Sequence, residues 1–332
     1  MSWWGTEAVS VRYRRRLALD RVSFRAGPGR VAAVAGGDGA GKTTLLRCLA
    51  GVLAPASGRV RRPGAMHIGY LAPGSGTYPD LSVDENLAFR AAAYRLPAAE
   101  AHRRAGLYLE RAGLARSRAQ LAGRLSGGMR QKLGVIAAML HRPDLLILDE
   151  PTTGIDPVSR ADLWWLIAAA AAAGAAVVVS TSYLDEAERA SAVLVLDEGR
   201  ELASGKPAEI IAAMPGVIRA AAAAPAGEDR RRAWRRGAGW RVWEDGGHPP
   251  GSGADGAARV DGAARVDGAA RVDGAARVDG AARVDSAAGV DAGGHPDAAL
   301  AGGSAAGAVT PDLQDAVTVA ALARELQREE RR

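Results

Sequence analysis

Hydrophobic and polar positions change their spacing several times along the chain, and each spacing predicts a different element. Val9, Val11 and Tyr13 alternate with polar residues, as do Val22 and Phe24 after a run of arginines. Such alternation predicts an antiparallel β-ribbon near the N-terminus. Four short unbroken apolar runs follow, at residues 31–35, 145–148, 177–179 and 193–196. Runs of this kind are typical of strands that are buried on both faces.

Apolar residues at helical spacing separate these strands. Strands that alternate with helices predict an α/β protein with a mostly parallel sheet. The segment 80–141 is helical in pattern throughout, which predicts a helical subdomain inserted between strands. A further helix is predicted over 156–173, ended by Gly174 and followed by a strand over 175–180. The apolar run 163–179 is rich in alanine and split by that glycine, so we expect no transmembrane helix there.

The last third of the chain has a different texture. Apolar periodicity is lost after about residue 216, and residues 256–285 are five copies of GAARVD, followed by the decayed copy SAAGVD at 286–291. Each hexad offers one valine beside a cancelling arginine and aspartate, which is too little apolar surface for a core. We therefore expect a main domain at 1–215, an accessory region at 216–250, a disordered linker at 251–308 and a helix at 309–332. An ordered or binding role for the repeats is the alternative.

Composition narrows the class of protein. The chain has 332 residues, of which 48% are hydrophobic, enough to bury a substantial core. Its formal charge of +6 permits nucleic acid or an anionic membrane face as a partner. The arginine clusters at 14–16 and 230–236 show no regular aromatic spacing for stacking bases, so we interpret them as solvated surface and expect no nucleic-acid partner. The single cysteine, Cys48, fits a reducing cytosol, and the N-terminus lacks a signal-peptide pattern, so export is not expected.

The apolar run 31–35 leads directly into a glycine-rich loop and then into an apolar helix. The loop reads GGDGAGKTT and fits the pattern GxxxxGK[ST], whose glycines let successive backbone N–H groups face a phosphate. Lys42 would reach the β and γ phosphates of a nucleotide, and the Thr43 hydroxyl would ligate Mg²⁺. The predicted nucleotide-binding residues of the loop are Gly36, Gly37, Asp38, Gly39, Ala40, Gly41, Lys42, Thr43 and Thr44.

Two further motifs separate this chain from other phosphate-loop proteins. The run 145–148 ends in Asp149 and Glu150, at the strand edge where ligands bind in open α/β sheets. Asp149 would hold Mg²⁺ and Glu150 would orient or deprotonate the attacking water, with a helix-cap cluster as the alternative. Ser126, Gly127 and Gly128, in LSGGMRQK, begin a second helix that could bind an anion. One nucleotide does not need two helix N-termini from distant segments, so the second is expected to serve the nucleotide of another subunit.

The motifs GGDGAGKTT, LSGGMRQK, ILDEP and TTGIDP, in this order, resemble the ATP-binding cassette (ABC) transporter family over residues 8–211. The segment 310–322 resembles the family's C-terminal helix, and YPDLSVDENL, GIDPVSR and YLDEAER are similar to exporter or multidrug-type cassettes. The resemblance implies a P-loop NTPase fold that binds ATP and Mg²⁺. It also implies separate transmembrane permease subunits and a second cassette as partners, and a peripheral position on the cytoplasmic side of the cell membrane. In the family, each ATP lies between one cassette's phosphate loop and the other's signature.

The resemblance carries over to two more residues. Tyr13 matches the aromatic residue that stacks on adenine, with a tyrosine of the strand core as the alternative. Asp156, in TGID, matches the loop that contacts the opposite cassette.

Two positions depart from the family pattern. Pro73 stands where the family has a glutamine that touches Mg²⁺ and water, and Ser182 stands where it has a histidine that contacts the γ-phosphate. Proline has no polar side-chain atom, and a serine hydroxyl is shorter than imidazole and does not titrate near neutral pH. If either group assists proton transfer or positions water, its loss would cost about 100-fold or more in rate. The hypothesis is that this chain's own site binds MgATP but hydrolyses it slowly. Its signature, which is intact, would complete a competent site on another cassette.

Three alternatives stay open at this point. The first is an active subfamily that tolerates both substitutions. The second is a largely non-hydrolytic regulatory subunit that uses ATP as a dimerisation ligand. The third, a soluble cassette ATPase that acts on ribosomes or DNA, is disfavoured because the sequence has neither two cassettes nor a long coiled coil.

Overall fold

A computed structural model describes residues 3–14, 16–244 and 309–330. The repeat segment predicted to be a disordered linker, at 251–308, lies outside the described residues. The strands are β1 (Trp4–Tyr13), β2 (Arg16–Ala26), β3 (Val31–Ala35), β4 (Ser57–Arg61), β5 (Ile68–Leu71), β6 (Leu145–Asp149), β7 (Ala176–Thr181), β8 (Ala192–Asp197), β9 (Arg200–Gly205), β10 (Val217–Ala221), β11 (Ala233–Arg236) and β12 (Gly239–Glu244). The α-helices are α1 (Lys42–Ala50), α2 (Val83–Ala93), α3 (Ala98–Arg111), α4 (Gly127–Met139), α5 (Pro157–Ala172), α6 (Leu184–Ala187), α7 (Pro207–Ala212) and α8 (Leu313–Glu330).

The central sheet has the strand order β5–β6–β7–β3–β8–β9. The first five strands run parallel, and β9 runs antiparallel to β8. Every residue of β6 and β7 is buried, as the unbroken apolar runs predicted for strands covered on both faces. The α/β class with a mostly parallel sheet is therefore confirmed.

The register of the sheet brings three chain segments to one edge. β3 pairs with β7 up to Ala35 and Thr181, and β6 pairs with β7 up to Asp149 and Ser180. All three strands point the same way, so the residues that follow them emerge side by side. The glycine-rich loop, Glu150 and Ser182 are placed together by this register.

The predicted N-terminal ribbon is present. β1 pairs with β2 and with β4 in an antiparallel sheet of order β2–β1–β4. Its inner side chains, such as Val11 and Leu19, pack in one apolar cluster with Leu45 and Leu49 of α1. The ribbon therefore covers the helix that follows the glycine-rich loop.

The segment 80–141 forms the predicted helical subdomain, with α2, α3 and α4. α2 begins with a capping box in which the Ser82 hydroxyl accepts from the Glu85 amide and the Glu85 carboxylate accepts from the Ser82 amide. The helix predicted over 156–173 is α5, and Gly174, with φ of 102°, separates it from β7. Within the described ranges, no helix is long and apolar enough to cross a membrane.

The accessory region contains a small sheet that sequence periodicity did not indicate. β10, β12 and β11 pair antiparallel in that order. Ile218 and Trp243 are its buried apolar side chains, and they pack against Val319 of α8. Because so few positions of these strands are buried, the alternation that reveals a strand in sequence is weak. The helix predicted at 309–332 is α8, which the structure describes over Leu313–Glu330.

Candidate nucleotide-binding site

The glycine-rich loop connects β3 to α1 and borders a cleft of about 280 Å³. Gly39 and Gly41 have φ angles of 77° and 108°, in the left-handed region that favours glycine. A Cβ atom at Gly36 would overlap the carbonyl oxygen of Leu196. The residues that line the cleft are Tyr13, Arg16, Ala18, Gly37, Asp38, Gly39, Ala40, Gly41, Lys42, Thr43, Thr44 and Glu150. The lining thus includes Tyr13, Glu150 and every predicted loop residue except Gly36.

Lys42 lies at the centre of the polar contacts beside this cleft. Its Nζ donates to the carbonyl oxygens of Gly36 at 2.7 Å and Gly37 at 3.1 Å, and to the Ser182 hydroxyl at 2.9 Å. It also lies 3.1 Å from Oε1 of Glu150. The side chain is 5% exposed, so its charge is held by these oxygens and is poorly reached by bulk water.

Asp149 is fully buried at the end of β6. Its Oδ1 accepts a 2.6 Å hydrogen bond from Ser180, whose hydroxyl also accepts from the Glu150 amide at 2.9 Å. Burial raises the pKa of the Asp149 carboxyl, and the hydroxyls of Ser180 and Thr43 oppose that rise. Oδ2 has no hydrogen-bond partner within the described part of the chain. A buried carboxylate oxygen without a partner, near the Thr43 hydroxyl, fits a hard cation that prefers oxygen ligands.

The Glu150 carboxylate faces the loop from the other side. It accepts from Ser182 at 3.3 Å and from Thr153 at 3.2 Å, in addition to its ion pair with Lys42. Burial raises the pKa of Glu150, but the hydrogen bond and charge of Lys42, together with the hydroxyls of Thr153 and Ser182, outweigh it, so the pKa is lowered overall. Its backbone φ of 50° is unusual for a residue with a Cβ, and such strain is concentrated at functional sites.

The two departures from the family pattern lie in different surroundings. Ser182 follows β7 and places its hydroxyl between Lys42 and Glu150, beside the phosphate loop. Pro73 follows β5, at the same sheet edge as Asp149, because Leu71 pairs with Leu148. Its side chain is exposed and does not line the cleft.

The signature and the TGID segment lie beside each other, away from the lining of the cleft. Ser126 caps α4 by accepting from the Met129 amide at 3.2 Å. Asp156 caps α5 by accepting from two amides, at 3.0 and 2.9 Å. A Cβ atom at Gly128 would lie 2.8 Å from Oγ of Ser159, so the start of α4 packs closely on the start of α5. Neither Ser126, Gly127, Gly128 nor Asp156 lines the glycine-rich cleft.

Several residues that contribute to the candidate nucleotide site were not predicted from the sequence. Arg16 lines the cleft and donates to the Gly39 carbonyl at 3.5 Å, although the sequence placed it in a solvated turn. Arg16 begins β2, three residues after Tyr13, and this closeness to Tyr13 was the signal in the sequence that could have placed it at the cleft. Ser180, which holds Asp149, was visible only as one of several small residues at the end of a strand.

Glu186 was also missed. It is 1% exposed and accepts from the hydroxyls of Thr152 at 2.6 Å and Thr181 at 2.8 Å, while Arg160 lies 3.4 Å away. These partners belong to the loop after Glu150, the residue before Ser182, and the helix capped by Asp156. One buried carboxylate therefore connects three segments that border the site. In the sequence, Glu186 is one of several acidic residues at a predicted helix start, so this role was not identified.

Comparisons with known proteins agree with these motifs. Residues 19–153 match the family model described as ABC transporter. The chain is 41% identical over 198 residues to "Probable multidrug ABC transporter ATP-binding protein YbhF" of Escherichia coli, a match that covers 57% of this chain and 34% of that protein. It is 39% identical over 211 residues to "Nod factor export ATP-binding protein I" of Cupriavidus metallidurans, covering 60% of this chain and 69% of that one. The chain thus spans only about a third of the length of YbhF.

Solved structures place the fold in the same group. The chain superimposes on the "Structure of ATP binding subunit of ABC transporter" with a TM-score of 0.59 and 30% identity, covering 63% of this chain and 92% of that one. It shares the fold of the dimeric ATP-binding cassette MJ0796, described in a post-hydrolysis state bound to ADP and Pi, at 22% identity and a TM-score of 0.56, over 61% of this chain and 98% of that one. With the motif order, the fold and these relatives in agreement, the chain belongs to the ABC transporter family of ATP-binding proteins.

Proposed function

We propose that the chain is the ATP-binding subunit of an exporter-type ABC transporter. In this proposal it binds and hydrolyses ATP, pairs with a second cassette and drives separate transmembrane permease subunits. The proposal rests mainly on three groups that meet at one edge of the sheet. They are the Lys42 ammonium, the Glu150 carboxylate and Oδ2 of Asp149, which has no hydrogen-bond partner among the described residues. One relative is named as a Nod factor export protein, which supports export as the direction, and others are named as multidrug and daunorubicin resistance proteins.

Thr43 and Asp149 are the proposed holders of Mg²⁺. The unpartnered Oδ2 of Asp149 and the nearby Thr43 hydroxyl supply the oxygen donors, and a magnesium ion completes its shell with water and phosphate oxygens. When bound, the ion would neutralise negative charge on the phosphates during transfer.

The contacts of Lys42 suggest how nucleotide binding would prepare Glu150. Phosphate oxygens are anionic acceptors, as is the Glu150 carboxylate. Both form strong charge-assisted hydrogen bonds with the Lys42 ammonium, so they compete for it. Lys42 is the largest of the contacts that lower the pKa of Glu150, so losing this contact raises that pKa and makes the carboxylate a better proton acceptor. Glu150 would therefore become a competent general base only after ATP has engaged Lys42.

Ser182 and Pro73 support slow turnover at this site. The Ser182 hydroxyl lies within 3.3 Å of both Lys42 and Glu150, so it can bridge them. It cannot carry a proton at neutral pH as imidazole does. The relatives are named as transporter ATP-binding proteins and do not favour a purely regulatory subunit. Slow hydrolysis at the chain's own site, beside a competent site completed by its signature, is the form of the proposal that fits these residues.

The proposed partners follow from the same assignment. ATP would join two cassettes, closing the dimer and pulling on the permease subunits, and hydrolysis would release them. A structural relative at 26% identity is described as part of the transporter complex cbiONQ, which supports membrane partners. The proposed location is peripheral, on the cytoplasmic face of the membrane.

Replacing Gly127 by aspartate tests whether the signature binds a partner's ATP. A Cβ atom at Gly127 meets no neighbour within 4 Å, and an acidic residue is favourable in the first turn of a helix, so α4 should form normally. The new carboxylate would repel phosphates presented by a second cassette. We expect MgATP-dependent dimerisation, measured by sedimentation velocity in a Glu150→Gln background that preserves ATP, to weaken by about 10-fold or more.

The matched control is Gly64→Asp, at another glycine with open space around its Cβ position. It should dimerise like the parent, and both variants should bind MgATP at their own phosphate loop with unchanged affinity. Undiminished MgATP-dependent dimerisation of Gly127→Asp would contradict the assignment of the signature.

A further inference from the structure

Residues 197–199, which end β8 and form the turn to β9, contact the phosphate loop. The Gly199 amide donates to the Ala40 carbonyl at 3.0 Å. Gly199 has a φ of 78° and no room for a Cβ atom, because the Ala18 carbonyl occupies that space. The direction of the loop's N–H groups decides how well they meet phosphate, so the position of this turn affects the nucleotide site.

The same turn is held on its other side by the C-terminal helix. Arg324 lies 3.1 Å from Asp197, and Arg328 lies 2.8 Å from Glu198. The hydrogen bond from Arg328 is the first cause of the lowered pKa of Glu198. The two arginines are four residues apart and so lie on one face of α8. Two consecutive acidic residues of the turn therefore meet two arginines one helical turn apart.

α8 is fixed in place by contacts independent of these pairs. Leu313 and Val319 are fully buried against the ATPase core and the accessory sheet respectively. The Leu313 amide donates to Glu188 at 2.9 Å, and Asp315, 1% exposed, accepts from Arg236 at 2.9 Å. The helix thus bridges the accessory sheet and the core, and it presents Arg324 and Arg328 from an anchored scaffold.

We propose that α8 positions the phosphate loop for nucleotide through the turn 197–199, with Arg324 and Arg328 as positioning residues. This inference rests on the proposed nucleotide-binding function of the loop. Exposed ion pairs are individually weak, so the effect on affinity is modest. The helix lies outside residues 19–153, which carry the family match, and it links the accessory sheet to the ATP site.

The test is the Arg324→Ala/Arg328→Ala variant of the full chain, with a fluorescent ATP analogue and Mg²⁺ as the probe. Nucleotide affinity is expected to fall about 3- to 10-fold, mainly through faster dissociation. Raising the salt concentration should narrow the difference from the parent, because salt screens exposed pairs. The thermal unfolding midpoint without nucleotide should change little, since the buried anchors of α8 are untouched.

Two controls separate positioning from loss of positive charge. Arg231→Ala removes an arginine paired with Glu329 of α8, a contact that does not involve the turn, and should leave affinity unchanged. The exchange Glu198→Arg with Arg328→Glu preserves net charge and should restore affinity relative to Arg328→Glu alone. Parent-like nucleotide affinity and dissociation in Arg324→Ala/Arg328→Ala would overturn the inference. An equal loss of affinity in Arg231→Ala would overturn it too. Binding by the parent that depends on Lys42 would leave the proposed function standing in either case.

Discussion

Replacing Lys42 by alanine is expected to weaken MgATP binding by about 100-fold or more, which corresponds to about 2.7 kcal/mol. The ammonium is 5% exposed and lies among oxygens of Gly36, Gly37, Ser182 and Glu150. In the variant, phosphate oxygens bound at this position would lose the ammonium. Water reaches the position poorly and would not replace it. Truncating one partner of a buried charge pair typically costs 2–5 kcal/mol. Titration calorimetry with MgATP measures the loss directly.

Lys206 provides the matched control for this prediction. It is also a lysine in an ion pair, with Glu209 at 2.8 Å, but its side chain is 65% exposed and lies away from the glycine-rich cleft. Lys206→Ala should bind MgATP like the parent. If Lys42→Ala also kept the parent's affinity, the cleft would not be the nucleotide site.

Replacing Glu150 by glutamine is expected to lower single-turnover hydrolysis by about 100-fold or more while leaving MgATP bound. Glutamine keeps the size of the side chain but cannot take a proton from water. It also removes the charge that pairs with Lys42 at 3.1 Å, so the ammonium becomes more available to phosphate. Affinity for MgATP should therefore stay the same or increase, while cleavage of radiolabelled ATP by excess protein slows.

An exposed glutamate tests whether any loss of carboxylate has this effect. Glu110 lies on the exposed side of α3, and Glu110→Gln should cleave ATP at the parent's rate. Hydrolysis that persisted unchanged in Glu150→Gln would assign the general base to another group. A loss of binding in that variant would mean that Glu150 holds the nucleotide.

Features encoded in contiguous stretches were the ones that sequence predicted well. The glycine-rich loop needs a strand before it, left-handed glycines within it and a helix after it, and all three signals lie within residues 31–50. The acidic pair at 149–150 could be placed because an unbroken apolar run identifies a buried strand and its carboxyl end. Parallel register then brings such ends together without further information.

Contacts between distant segments were beyond sequence reasoning. Ser180 and Asp149 are 31 residues apart, Thr152 and Glu186 are 34 apart, and Arg324 and Asp197 are 127 apart. Each partner is an ordinary polar residue, and only the folded sheet and the docking of α8 select it from many similar ones. The accessory sheet was missed for a related reason, since β10 and β12 bury little more than Ile218 and Trp243.

We propose that this cassette binds MgATP but hydrolyses it slowly, because Ser182 and Pro73 stand where the family has groups that act on water and the γ-phosphate. Ser182 is exposed, so an imidazole can be accommodated at this position. The matched control is Ser57→His, at an exposed serine of β4. The variants for comparison are Ser182→His and Ser182→His/Pro73→Gln.

The decisive measurement is the ATP turnover rate of the purified chain and these variants at saturating MgATP. We expect slow turnover by the parent and by Ser57→His. We expect an increase of about 10-fold or more in Ser182→His and a further increase in Ser182→His/Pro73→Gln. Rapid turnover by the parent, unchanged in Ser182→His, would show that these two residues do not slow hydrolysis at this site.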